Sequence, residues 1–225
     1  SMAEPAAVIR FNVLSEPMMK LLIICSFVTF NIFSEMPSFR TAAISEKILK
    51  NVLKNVSCPC VIDADGLNLL SRNIELLNQC CTPVILTPHM KEMSRLTGWS
   101  IDTIMEDRFQ ALDQIIKQSG PDTKSSIICV LKDSRTVVAQ TNRQKFVNLA
   151  GNNSMAKGGS GDVLAGTIAG LLAQHMAPFE ATTVGVFLHA CGGDEAKKSK
   201  GSYSVLARDL IQGMADAMKN AKECR

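Results

Sequence analysis

Hydrophobic residues form short unbroken runs over the first two thirds of the chain and longer helical stretches over the last third. Short apolar runs between polar segments are typical of buried strands. The segments with this pattern are Ala7–Leu14, Leu21–Thr29, Cys60–Ile62, Val84–Leu86, Ile127–Leu131, Thr136–Ala139 and Phe146–Leu149. Because these runs do not alternate strictly with polar residues, we predict strands that are covered on both faces of a sheet.

Apolar residues at helical spacing predict helices between and after these strands. The first helix carries apolar residues from Ile44 to Val56, and we expect a loop from Asn31 to Arg40 before it. The other predicted helices are a segment through Ile74–Leu77, Met90–Leu96 ending at Gly98, a longer helix marked by apolar residues from Ile101 to Ile116, Val163–Gln174, Pro178 to about Lys197, and Ala207–Lys222.

This alternation favours the α/β class, with a mainly parallel central sheet flanked by helices on both faces. The sequence has no internal repeat, linker or low-complexity segment. We therefore predict a single domain over residues 1–225, in which Ser1-Met2 is an expression scar.

A glycine-rich loop precedes the first of the late helices. Gly158-Gly159-Ser160-Gly161-Asp162 runs into Val163–Leu172, whose small and apolar residues predict a helix buried on all sides. A glycine loop at a helix start is an anion site, because the first helical N–H groups lack partners. The pattern is neither a P-loop nor a dinucleotide-binding fingerprint. Asp162 is either a helix cap or a general base beside a bound phosphate.

Composition narrows the classes of partner. The net charge of +3 is spread along the 225 residues, so it gives no case for nucleic-acid binding. The most hydrophobic segment, Leu21–Phe33, is shorter than the ~20 residues that span a bilayer, so no membrane association is expected. None of the eight cysteines has a common zinc or redox spacing. Reduced thiols in a cytoplasmic protein are therefore expected.

Polar residues gather where the predicted strands end. They are Asp63, Asp65, Asn68, His89, Lys132, Asn148, Asn152 and Asn153. Ligands of a parallel sheet bind at the carboxyl ends of its strands, so these side chains could share one site. Each has a structural alternative: Lys132 could reach solvent, His89 could cap the next helix, and Asp63 could form a turn or hold magnesium. His175 and His189 are expected to be structural.

Several of these segments, taken in chain order, resemble one enzyme family. They are Val61–Leu70 (VIDADGLNLL), Leu86–His89 (LTPH), Lys132 with Thr136, and Gly151–Gly166 (GNNSMAKGGSGDVLAG). The chain from about Ala43 to Ala221 resembles the ADP-dependent NAD(P)H-hydrate dehydratases, bacterial repair enzymes with a ribokinase-like fold. The glycine loop is the most specific part of this resemblance.

The resemblance implies a kinase-like reaction. A base removes the proton from the hydroxyl group of NAD(P)H hydrate, and the oxygen attacks the terminal phosphoryl group of ADP. The phosphorylated carbon then loses phosphate, which returns NAD(P)H together with AMP and phosphate. Such chemistry depends on in-line positioning and on charge neutralisation.

The resemblance also implies roles for individual residues. Asp162 would be the catalytic base and would contact the hydrate, together with His89 and Asn68. The adenine nucleotide would be bound by Lys132, Asp133, Ser134, Arg135, Thr136, Asn152, Gly159, Ser160 and Gly161. Magnesium is expected on the nucleotide phosphates, with no dedicated metal-ligand cluster in the chain. A homotetramer is the expected assembly.

Three places depart from the family pattern. Met90-Lys91-Glu92 follows His89, where the family usually has Pro-Gly-Glu, and Asp133 follows Lys132 in place of glycine. Ser26–Phe30 stands where a Gly-Pro-Gly-type loop is expected, and residues 3–42 are atypical for the family. These departures keep two alternatives open: a ribokinase-like kinase for a small alcohol such as a vitamin precursor, and a nucleotide-binding protein without catalysis.

Overall fold

A computed structural model describes residues 22–24, 38–118, 126–141 and 144–223 of the chain. The predicted strand Ala7–Leu14 and the segment Ser26–Phe30 lie outside these residues. Of the predicted strand Leu21–Thr29, the described part is Leu22–Ile24, which is a strand.

Within the described residues, the core of the fold is a mixed sheet of six strands that follow one another in sequence order. The strands are β1 (Leu22–Ile24), β2 (Cys60–Ile62), β3 (Val84–Leu86), β4 (Ile127–Leu131), β5 (Val137–Gln140) and β6 (Lys145–Val147). Strands β1 to β4 are parallel, in a register that pairs Ile62 with Leu86 and Leu86 with Cys129. Strands β5 and β6 form an antiparallel extension. The predicted mainly parallel sheet is confirmed.

Helices connect the strands and cover both faces of this sheet. They are α1 (Ser38–Asn55), α2 (Asp65–Leu70), α3 (Met90–Thr97), α4 (Ile101–Glu106), α5 (Arg108–Gln118), α6 (Ser160–Ala173), α7 (Pro178–Lys200) and α8 (Ala207–Glu223), with short 3₁₀ helices at Ile74–Gln79 and Asn153–Met155. None of the helices in the described residues is long and apolar enough to cross a membrane.

The two faces of each strand enter different hydrophobic clusters, as the period of two in a strand requires. Ile62 packs in the cluster that contains Leu53 of α1 and Leu112 of α5. Its neighbour Val61 packs in the cluster that contains Ile168 of α6 and Val186 of α7. The sheet is therefore covered by α1 to α5 on one face and by α6 and α7 on the other.

The structure corrects several predicted boundaries. Residues 38–40 belong to α1, and not to the loop predicted over Asn31–Arg40. The single helix predicted from Ile101 to Ile116 is two helices, because Asp107 leaves helical geometry and its Oδ1 accepts a hydrogen bond from the Gln110 N–H group. Asp65 and Asn68, expected at the end of a strand, lie in α2, where burial of the leucines stabilises a short helix.

Helix α6 is buried on one face and not on all sides. Leu164, Ile168 and Leu172 lie in the core, whereas Gly166 and Gly170 are exposed. The prediction of a helix buried all round was wrong because glycine counted as an apolar residue, although it has no side chain to bury.

The backbones of helices α7 and α8 lie close together at Gly213. We therefore expect Gly213→Ala to lower the free energy of unfolding. A methyl group on Gly213 would lie 2.1 Å from the Gly192 carbonyl oxygen, so the helices would have to separate. Overpacking of this kind costs about 3 kcal/mol of the free energy of unfolding. Gly166→Ala is the control, since it meets open space and should stabilise α6 by about 0.5–1 kcal/mol. Equal urea midpoints for the two variants would contradict this packing.

Candidate functional site

Polar groups from two strand ends meet at the carboxyl edge of the sheet. Asp63 directly follows β2, and Lys132 directly follows β4. The Nζ atom of Lys132 lies 2.7 Å from Oδ1 of Asp63, whose side chain is 3% exposed. The backbone of Lys132 also bridges to the end of β3, because its N–H group donates to the Pro88 carbonyl oxygen at 2.8 Å. A buried carboxylate thus holds a lysine ammonium group where three strands end.

The glycine loop lies at the start of α6. Gly159 is the N-cap residue and has a φ of +85°, a left-handed conformation that favours glycine. The Val163 N–H group makes the first hydrogen bond of the helix, to the Gly159 carbonyl oxygen. In the described part of the chain, the N–H groups of Gly161 and Asp162 have no backbone acceptor. The first turn therefore offers free donors and the positive end of the helix dipole to an anion.

Gly161 brings the loop onto the buried ion pair. A methyl group at this position would lie 3.3 Å from Nζ of Lys132 and 3.5 Å from Oδ2 of Asp63. The helix start and the lysine ammonium group are therefore neighbours. Free N–H donors beside a held cation form a site suited to a phosphate group.

We expect Gly161→Ala to weaken nucleotide binding without unfolding the protein. The added methyl group would press on the Lys132 ammonium group, and a displacement of a few tenths of an ångström is enough to misplace it. The expected loss of ADP affinity is about tenfold, since positioning errors of ~1 Å can cost ~100-fold. The measurement is titration calorimetry with ADP. Gly158→Ala is the matched control, because its methyl group would meet open space, and equal losses in both variants would contradict the interpretation.

Asp162 is the third residue of α6, and its side chain is exposed. Gly159 is the N-cap, and no side-chain cap is formed at this helix start. Among the described residues, no hydrogen bond or ion pair engages the Asp162 carboxylate. The structure therefore leaves this carboxylate available to accept a proton beside the anion site, and it does not support the helix-cap alternative.

The segment Lys132–Thr136 forms a compact connection between β4 and β5. Asp133 makes an ion pair with Nη2 of Arg108 at 3.0 Å. The Thr136 hydroxyl group donates to the Asp133 carbonyl oxygen at 3.3 Å. Asp133, which departs from the family pattern, is thus tied to the start of α5.

Asn152 holds the loop that leads to the glycine residues. Its Oδ1 accepts from the Ser154 N–H group at 3.0 Å, and its Nδ2 donates to Asp194 of α7 at 2.8 Å. The second carboxylate oxygen of Asp194 accepts from the Gly151 N–H group. The Asn152 side chain therefore supports the shape of this loop.

His89 caps α3. Its Nδ1 accepts from the N–H groups of Lys91 and Glu92, and the Glu92 carboxylate accepts from the His89 N–H group at 2.8 Å. Asn68 accepts from Nη1 of Arg95 at 2.7 Å. Within the described residues, no hydrogen bond or ion pair joins either side chain to the glycine loop. The structure thus gives both residues structural partners outside the loop.

Two residues of the site have contacts that the sequence did not indicate. The sequence predicts a turn residue or a magnesium ligand at Asp63, whereas its carboxylate pairs with Lys132. His189 of α7 was expected to be merely structural, and its Nε2 lies 3.3 Å from Oγ of Ser160 in the glycine loop. The one available signal for His189 was a titratable residue inside a largely apolar helical stretch, Val186–Ala190.

The sequence of the chain is similar to that of one enzyme family. A sequence profile described as NAD(P)H-hydrate dehydratase matches residues 40–215. The chain belongs to the NAD(P)H-hydrate dehydratase family. It is 38% identical to the ADP-dependent (S)-NAD(P)H-hydrate dehydratase of Neisseria meningitidis over 72% of this chain and 53% of that relative. It is 37% identical to a bifunctional NAD(P)H-hydrate repair enzyme of Moorella thermoacetica over 78% of this chain and 32% of that relative.

Solved structures of the dehydratase family have the same fold. The ADP/ATP-dependent NAD(P)H-hydrate dehydratase of Bacillus subtilis, co-crystallised with ATP and Mg²⁺, superposes with a TM-score of 0.67 at 27% identity, over 82% of this chain and 63% of that chain. The ribokinase-like fold expected from the sequence is confirmed. The chain spans between about a third and a half of the length of the two curated relatives.

Proposed function

We propose that the protein uses ADP to dehydrate NAD(P)H hydrate, which returns NAD(P)H and releases AMP and phosphate. The observation that carries this proposal is the contact of Gly161 with the Lys132–Asp63 ion pair, directly beside the unengaged carboxylate of Asp162. Gly161, which would bind the phosphoryl group, and Asp162, the candidate base, are thus adjacent residues in one turn of α6. The family membership of the chain supports the choice of substrate.

The proposed chemistry has two steps. Asp162 accepts the proton of the hydrate hydroxyl group, and the hydroxyl oxygen forms a bond to the terminal phosphorus of ADP as the bond from that phosphorus to AMP breaks. The carbon–oxygen bond then breaks as phosphate leaves, and loss of a ring proton restores the reduced nicotinamide. The Lys132 ammonium group and the N–H group of Gly161 neutralise the charge that builds up on the phosphoryl oxygens.

The nucleotide and the hydrate are assigned to two groups of residues. We assign the adenine nucleotide to Lys132–Thr136, Asn152 and Gly159–Gly161. We assign the hydrate to Asp162, His89 and Asn68. The first assignment is supported by the shared edge of the sheet, where Lys132 lies next to Gly161. The second rests on the family resemblance and on the backbone bridge between His89 and Lys132.

Magnesium is assigned to the nucleotide and not to a protein site. In the described residues, no group of three His, Cys, Asp or Glu side chains is arranged to hold a metal ion. Asp63, the best-placed carboxylate, is already paired with Lys132. The described residues do not form a dedicated magnesium site, so we propose that the ion binds through the phosphate oxygens of the nucleotide.

The proposal extends to the cellular setting and the assembly. The free cysteines in the described residues favour a reducing cytoplasm. Exposed apolar side chains on α7 and α8, such as Phe187 and Ile211, suit the proposed homotetramer. We propose that the whole chain is one domain, because its described strands form one sheet.

The test is recovery of the near-ultraviolet absorbance of reduced nicotinamide from NADH hydrate with magnesium and ADP, ATP or no nucleotide. We expect the absorbance to rise with ADP and not without nucleotide. A stable phosphorylated hydrate with no recovered NADH would favour a ribokinase-like kinase. Binding of ADP without any turnover would favour a nucleotide-binding protein, and either result would overturn the proposal.

A further inference from the structure

A buried histidine contacts the glycine loop from the neighbouring helix. His189 lies in the middle of α7, and only 8% of its surface is exposed. Its Nε2 lies 3.3 Å from Oγ of Ser160, which is itself 9% exposed. The contact joins α7 to the first residue of α6 across 29 positions of the chain.

In the loop Gly158–Gly161, Ser160 has a side chain and the other three residues are glycine. Its neighbour Gly159 has a left-handed φ of +85°, and its neighbour Gly161 lies against the Lys132 ammonium group. Glycine has more backbone freedom than any other residue, so a loop of this composition is less restrained by its own backbone than other loops are. A hydrogen bond at Ser160 restrains the loop between its two functional glycines.

His189 is neutral, and so it is not a second cation for the phosphate. Burial, opposed by a hydrogen bond with the Ser160 backbone and aided by the positive charge of Lys132, lowers the pKa of His189 to about 4. A neutral imidazole donates one hydrogen bond and accepts another. Lys132 therefore supplies the charge of the site, and His189 supplies a fixed hydrogen bond.

We propose that His189 is a positioning residue: through Ser160 it holds the first turn of α6 so that the Gly161 N–H group and the Asp162 carboxylate face the transferred phosphoryl group. Its effect on turnover rests on the proposed function, whereas its effect on the loop does not. Holding reacting groups in place matters because a misplacement of ~1 Å can cost ~100-fold in rate.

Four variants separate this role from ordinary packing. His189→Phe keeps the volume of the ring and removes the hydrogen bond, and Ser160→Ala removes the partner. His189→Gln keeps a polar atom close to the position of Nε2. Val186→Ala, on the same helix and buried against the sheet, weakens packing without touching the loop.

The first measurement is hydrogen–deuterium exchange of the hydrogen-bonded amides of the loop, those of Ser160 and Val163, in nucleotide-free protein. We expect His189→Phe and Ser160→Ala each to speed exchange there about tenfold and to leave β4 unchanged. The second is steady-state kinetics with ADP and NADH hydrate. His189→Phe and Ser160→Ala should each lower kcat about 10- to 100-fold with little change in KM, whereas Val186→Ala should not. The double variant should be no worse than either single one, and His189→Gln should recover to within about threefold.

The outcomes separate the two proposals. Unchanged loop exchange in His189→Phe, additive effects in the double variant, or an equal loss of kcat in Val186→Ala would overturn the positioning role. Loop exchange could be faster in His189→Phe and Ser160→Ala while the wild-type protein dehydrates no hydrate. That pair of results would support the positioning role and overturn the proposed function.

Discussion

Asp162→Asn should abolish hydrate dehydration while ADP still binds. Asparagine has the size of aspartate but does not accept a proton at neutral pH, so the hydroxyl group of the hydrate would lose its base. General-base catalysis contributes typically ~10²–10⁴-fold, and we expect a loss of about 10³-fold in kcat. The side chain is exposed and makes no hydrogen bond or ion pair within the described residues, so the fold should not change.

The matched control for this prediction is Asp102→Asn. Asp102 is also an exposed aspartate in the first turn of a helix, but it belongs to α4, outside the glycine loop. Turnover is measured by recovery of reduced nicotinamide, and ADP affinity by titration calorimetry. An Asp162→Asn variant that keeps wild-type kcat would remove Asp162 from the mechanism. A loss of ADP affinity as large as the loss of kcat would make it a binding residue.

Lys132→Met should both destabilise the protein and weaken ADP binding. Methionine keeps a similar length of side chain and removes the ammonium group from a carboxylate that is 3% exposed. Breaking a buried ion pair from one side costs about 3–5 kcal/mol of the free energy of unfolding, because the remaining charge is buried without a partner. The same change removes the cation beside Gly161, so the phosphates lose a charge-assisted hydrogen bond.

A second substitution separates the two effects. Asp63→Asn in the Lys132→Met background removes the buried charge, and the double variant should return to within about 1 kcal/mol of the wild-type stability. It should still bind ADP weakly, because no cation has been restored. Urea denaturation and titration calorimetry measure the two quantities independently.

Lys145→Met is the control, because it removes an ion pair that is partly exposed to solvent. Lys145 bonds to Asp113 at 2.9 Å, with both side chains about a third exposed, so its substitution should change stability by less than about 1 kcal/mol. If Lys132→Met is no more destabilising than this variant, the Asp63–Lys132 pair is not a buried anchor. If it binds ADP as tightly as wild type, Lys132 does not contact the phosphates.

The sequence by itself determined the elements whose signals are local. The strands Cys60–Ile62, Val84–Leu86 and Ile127–Leu131 were predicted with their observed bounds, because each is a short apolar run between polar residues. The helix that ends at Gly98 was also predicted, because only a residue that tolerates the left-handed conformation ends a helix in this way. The glycine loop at a helix start and the family resemblance depend on the same kind of local spacing.

The tertiary structure alone decided which of these residues meet. Asp63 and Lys132 are 69 positions apart, and Ser160 and His189 are 29 apart. Spacing along a chain specifies the direction of a side chain relative to its own helix or strand, and so it indicates what is buried. It does not specify the order of strands in a sheet or the helix that packs beneath a loop. Those contacts form only when distant segments close on one another around a shared core, and here that closure assembles the ion pair and the buried histidine of the site.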